Sequence, residues 1–150
     1  MDIHDQLTEQ LHAAMKARDE RRKWTIRMLI FAIKLAEVEK GSPLNDTEFI
    51  AVVQKEIKTR RDTLEDGRKA NREDVIRDTE IEINILQEYL PNQLDSDQLQ
   101  AMVNQVIQQV GAASPKEIGK VLKVLLPLLA GRATNAEASR VVKETLEKAI

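Results

Sequence analysis

Apolar residues recur every three to four positions along almost the whole chain, and no stretch keeps a period of two, so the pattern predicts an all-α protein. Ile3, Leu7, Leu11 and Met15 mark one face of a first helix ending near Arg18. A second helix, 19–40, is apolar on two sides: Ile26, Leu29, Ile30 and Ile33 on one, Trp24, Met28, Phe31 and Leu35 on the other. A helix of that kind is expected to lie between neighbours, at the centre of its bundle. Gly41-Ser42-Pro43 stops it. A third helix opens at Asn45, with Glu48 as its capping-box partner, and carries Ile50, Val53, Ile57 and Leu64, with a break or kink expected within 67–71. The fourth uses Val75, Thr79, Ile83, Leu86 and Leu90. Proline disfavours helix in the residue before it, so Tyr89-Leu90-Pro91-Asn92-Gln93-Leu94 closes this part. The expected organisation is an N-terminal helical domain of about four helices, 1–94, and a C-terminal three-helix bundle, 95–150.

The bundle's helices are well punctuated. Asp95 with Gln98 opens the first, which shows Leu99, Val103, Val106 and Val110 on one face, and Gly111 closes it. Ser114, Pro115 and Glu117 form a near-ideal start for the second, which Gly131 closes. Thr134 with Glu137 opens the third, carrying Val141, Val142, Leu146 and Ile150.

The middle helix of that bundle holds the most suggestive residues. Lys116, Lys120 and Lys123 fall within about 60° of one another at 100° per residue. Gly119 lies beside them and Pro127 falls on the same stripe. Glycine costs about 1 kcal/mol in a helix interior and proline about 3. A row of ammonium groups suits phosphates, and a missing side chain at Gly119 admits a partner's backbone. The alternatives are an ordinary solvated face for the lysines, close helix packing for Gly119, and a bend for Pro127.

Charge changes this picture only locally. The net charge is −2, with residues 1–94 carrying 16 basic and 19 acidic side chains and 95–150 carrying 7 and 6. Nucleic-acid contact would therefore come from patches, not from a global field. Two more basic clusters, Arg18/Arg21/Arg22/Lys23/Arg27 and Lys58/Arg60/Arg61/Arg68/Lys69, are interleaved with acids, which points to internal ion pairs. Arg60 interrupts its helix's seam and is expected to meet a carboxylate on a neighbouring helix. Aromatics number only four, few for reading single-stranded bases by stacking. With no cysteine, disulfides, thiolate metal sites and a cysteine nucleophile are excluded. His4 and His12 stand eight apart, too far for the i, i+4 pair that grips a metal, and are expected to be exposed. No signal-peptide pattern and no apolar run of membrane-spanning length is visible, so the expectation is a soluble, cytoplasmic protein without membrane contact.

Tyr89-Leu90-Pro91-Asn92-Gln93-Leu94, then Gly119-Lys120-Val121-Leu122-Lys123, Pro127 and Gly131-Arg132-Ala133, resemble the GatB/YqeY family, as do Ile26-Arg27-Met28 and Ala70-Asn71-Arg72-Glu73-Asp74. Their order and spacing match a stand-alone YqeY-like protein over the whole chain. The chain departs from the family pattern at Thr134-Asn135, where Asp-Gly is common. The resemblance implies an all-helical protein whose tail is similar to that of the B subunit of the tRNA-dependent Glu/Asp amidotransferase, where the tail helps hold tRNA. Carried over, the RNA-facing residues are Gly119, Lys120, Lys123 and Arg132, and Lys116 joins them from the lysine row.

Amide transfer needs a glutaminase centre and an ATP-dependent activating centre, and neither a serine–lysine amidase signature nor a phosphate-binding glycine loop is present. The expectation is therefore a tRNA-binding or adaptor protein with no catalytic residues, metal or cofactor of its own and no DNA partner. Its protein partner would be an amidotransferase or a synthetase. One alternative is an accessory part of a glutamine-dependent carbon–nitrogen ligase. Another is an interaction module gripping a helix through Leu125, Leu126, Leu128 and Leu129.

Overall fold

The computed structural model describes residues 2–149, and every regular element among them is a helix. It divides into two compact units, 1–90 and 91–150.

In the first unit the helices are α1 (Ile3–Lys16), α2 (Glu20–Lys40), α3 (Asp46–Lys69) and α4 (Glu73–Gln87). Asp2, Asp19 and Asn45 side chains cap the first three, and Gly41 in the left-handed region ends α2. α1 packs on α2, α3 on α4, and α2 on both α3 and α4. Leu7, Ile26, Leu29, Ile33, Val53, Ile57 and Leu86 form the centre of the core. The break after α3 comes at Asn71, which turns left-handed, while Gly67 stays helical. Gly67 is buried where a Cβ would stand 3.1 Å from Val75 Cγ1, so its small size lets α3 approach α4.

Charged groups fasten these helices to one another. Arg60 Nη1 lies 2.8 Å from Glu56 and its Nε 3.6 Å from the buried Glu82 on α4, so the interrupted seam is bridged by an ion pair. Arg21 reaches Asp78 at 3.1 Å, and Arg22 reaches Glu88 at 2.6 Å. The basic clusters of this unit are largely used internally.

Two sequence expectations fail here. α2 is not covered on both sides: Ile26, Leu29 and Ile33 are buried, whereas Trp24, Phe31 and Leu35 face solvent. The neighbours α1, α3 and α4 leave that second face open. His4 is not simply exposed either; its Nε2 sits 2.9 Å from Glu37, joining the start of α1 to the end of α2.

The second unit contains α5 (Ser96–Val110), a single 3-10 turn (Pro115–Glu117), α6 (Ile118–Leu129) and α7 (Asn135–Lys148). Asp95 and Gln98 form a capping box, and Gly111 ends α5 left-handed. Thr134 accepts the Glu137 N–H at 3.0 Å, so threonine does the capping work an aspartate would do there. Its core joins Leu99, Val103, Val106, Val121, Leu125, Leu129, Val142 and Leu146.

Candidate nucleic-acid interface

α6 is built from apolar residues, two lysines, one glycine and one proline, with no acid anywhere along it. Val121, Leu125 and Leu129 point into the core, which places Lys120, Lys123 and Pro127 on the opposite face. Lys116 precedes the helix in the 3-10 turn, so it sits at the head of the row and not on the α-helical stripe itself. All three lysines are exposed, and among the described residues none of their ammonium groups makes an ion pair or hydrogen bond. From Lys116 to Lys123 the row spans about 11 Å along the axis.

Glu117 shares the 3-10 turn with Lys116. It accepts N–H bonds from Ala113 at 2.5 Å and Ser114 at 3.1 Å. These two bonds hold its carboxyl below the usual range, with the Lys120 charge adding to the effect. Both bonds go to its Oε2, which thus closes the turn ahead of α6.

Gly119 is exposed, and a Cβ added there would meet nothing within 4 Å. Close packing inside the protein therefore does not explain it. Pro127 stands in the last turns of α6, where its ring supplies no N–H to the Lys123 carbonyl. The helix then ends abruptly, with Ala130 and Gly131 both left-handed.

Arg132 stands apart from the lysines, past the far end of α6 and half-buried. Its Nε donates to the Asn92 carbonyl at 3.4 Å, and its own carbonyl accepts the Leu94 N–H at 2.8 Å. Gln93 adds a bond to the Gly131 carbonyl at 3.0 Å. Asn92-Gln93-Leu94 is thus strapped along Gly131-Arg132, and two motifs far apart in sequence form one corner. Sequence reasoning placed both motifs but not their meeting. Tyr89, at the head of the same motif, instead bonds Gln10 within the first unit.

The helix-gripping leucines are mostly engaged already. Leu125 and Leu129 are fully buried in the core, and only Leu128 is widely exposed.

An open groove of about 1040 Å3 in the first unit is lined by His4, Lys34, Glu37, Phe49 and Tyr89 among others. Glu37, held below the usual carboxylate range chiefly by the His4 hydrogen bond, also accepts the Leu44 N–H at 3.3 Å. That pair ties three segments together. Among the described residues no helix is long and apolar enough to cross a membrane.

A family model described as Yqey-like protein matches residues 4–146. Among curated relatives, "Altered inheritance of mitochondria protein 41, mitochondrial" of Vanderwaltozyma polyspora is 28% identical over 75% of this chain and 64% of its own length. The protein of that name from Lachancea thermotolerans is 36% identical over 60% of this chain and 49% of its own. A third, from Eremothecium gossypii, is 29% identical over 56% and 46%. The chain thus spans about half to two thirds of the curated relatives it matches.

Proposed function

The chain belongs to the YqeY-like family, and on that premise we propose that it is a tRNA-binding or adaptor protein, related to the amidotransferase B subunit and without a catalytic centre of its own. The second unit holds the RNA backbone. Lys116, Lys120 and Lys123 contact phosphates, Gly119 lets the backbone come close, and Arg132 chiefly shapes the corner at the end of α6. The observation that carries this reading is the row of three exposed, unpaired lysines, Lys116 in the 3-10 turn and Lys120 and Lys123 on the acid-free α6. Lysine contacts of this kind fix position without reading sequence, which suits a partner that recognises tRNA as a class. An amidotransferase or synthetase is the protein partner this reading implies, the chain supplying grip and the enzyme the chemistry. The cytoplasm is the proposed compartment for this chain, while the relatives' names place those proteins in mitochondria.

A gel shift with total tRNA at low salt tests it. Three phosphate contacts predict roughly a 20- to 40-fold loss of affinity between 50 and 200 mM salt. The double substitution Lys120→Glu/Lys123→Glu is expected to abolish retention. Retention that survives it would remove the row from the site. Ammonia release from glutamine by the pure chain would overturn the non-catalytic part.

A further inference from the structure

Seven large apolar side chains are exposed among the described residues, and four of them share one face of α2: Trp24 at 52%, Phe31 at 63%, Leu35 at 51% and Val38 at 77%. Together with half-buried Met28 they stand at 24, 28, 31, 35 and 38. That alternation of four and three is the period of a seam built to receive another helix. The four expose on the order of 400 Å2 of apolar surface, within the range where the largest patch on a monomer is often functional.

The seam has a charged edge. α2 carries six basic residues, and Arg21, Arg22, Lys23 and Lys40 each meet a carboxylate within 4.0 Å. Arg27 and Lys34 meet none among the described residues, and these two flank the seam on one side. The other side carries Ala32, with Glu39 at its far end and, at its near end, Arg21, which is already paired with Asp78.

The geometry points to this face of α2 as the docking site for an amphipathic helix of another protein, apolar along one stripe and acidic along the flank that meets Arg27 and Lys34. The match is one of charge as well as shape. A second copy of this chain fits less well. Antiparallel pairing of α2 about Phe31 sets Arg27 of one copy against Lys34 of the other, and the patch is about half the ~800 Å2 per partner of a stable complex. Its size suits a helix that docks and departs. Base stacking suits the face less well too, because Met28, Leu35 and Val38 continue the seam with aliphatic surface.

Trp24 is the only tryptophan in the chain, so its fluorescence reports directly on this face. The full chain is titrated with a synthetic helical peptide of about three heptads, leucine along its seam and glutamate on its flanks. A lysine-flanked counterpart and a single-stranded RNA oligonucleotide serve as rivals. A saturable blue shift and protection from acrylamide are expected with the glutamate peptide alone. Phe31→Asp abolishes the shift with helical circular dichroism unchanged. Arg27→Glu/Lys34→Glu weakens it by about tenfold and turns preference to the lysine peptide. Lys120→Glu/Lys123→Glu leaves it untouched, which separates this proposal from the RNA reading. Silence with the glutamate peptide, equal response to both peptides, a shift on concentrating the protein alone, or a shift with RNA in place of peptide would each overturn it.

Discussion

The two units pair their positive charge to different extents. In 1–90 most arginines and lysines are interleaved with acids, and Arg21, Arg22, Lys23, Lys40, Arg60, Arg68, Lys69, Arg72 and Arg77 each lie within 4.0 Å of a carboxylate. In 91–150 only Arg140, with Glu144, does so among the described residues. Net charge barely distinguishes the two units, yet the share of cations already paired differs: nine of sixteen in 1–90 against one of seven in 91–150 among the described residues. Cations already neutralised by a neighbour release few counterions when they meet a polyanion, whereas unpaired ones release them fully. The comparison teaches that pairing, more than basic content, marks the candidate RNA face.

The largest predicted effects concern what holds each unit together. Leu125→Ala should cost about 2–5 kcal/mol in the second unit by leaving a cavity. Hydrogen exchange should show the loss in 91–150, with the core amides of 1–90 still protected. Arg60→Ala leaves the buried Glu82 with only the Arg21 guanidinium, 3.9 Å away, and should destabilise the first unit by up to about 3 kcal/mol, read as a lower denaturant midpoint. Arg60→Ala with Glu82→Leu should recover much of that loss; failure to recover would mean that the pair is not what joins α3 to α4.

A smaller change sharpens the contrast from the other side. Gly119→Ala should stabilise the second unit by up to ~1 kcal/mol, because the added Cβ meets open space in a helix. If the bare backbone there serves the partner, tRNA affinity should fall while the melting temperature rises. The smallest effects are acid-linked. Glu117 in the second unit and Glu37 in the first both have lowered folded-state pKa values. Each therefore contributes stability that is complete above its unfolded pKa and is lost as pH falls through the folded one. Glu117→Gln and Glu37→Gln should each lower stability slightly near neutral pH and flatten the acid limb of the stability curve, so that variant and unaltered chain converge once the folded-state carboxylate is protonated.

Helix existence, the caps at Asn45, Asp95 and Thr134, and the stop at Gly41 were legible in the sequence because each is a local signal. The lysine row was legible because helical spacing alone fixes it, apart from Lys116, which the 3-10 turn moves off the stripe. The open face of α2 was not, since an apolar stripe looks the same whether a neighbour covers it or not. Nor was the corner joining Asn92-Gln93-Leu94 to Gly131-Arg132, because pairing across about forty residues leaves no periodic trace. Arg60 lies between these cases: its charge on an apolar seam announced a partner, but only the packing of α4 names Glu82.

The most direct measurement is the salt dependence of tRNA binding for three proteins: the unaltered chain, Lys120→Glu/Lys123→Glu, and Arg68→Glu/Lys69→Glu from the paired first unit. The account predicts a steep slope for the first, loss of binding for the second, and a slope for the third equal to that of the unaltered chain. Equal loss from both double variants, or binding indifferent to salt, would contradict it.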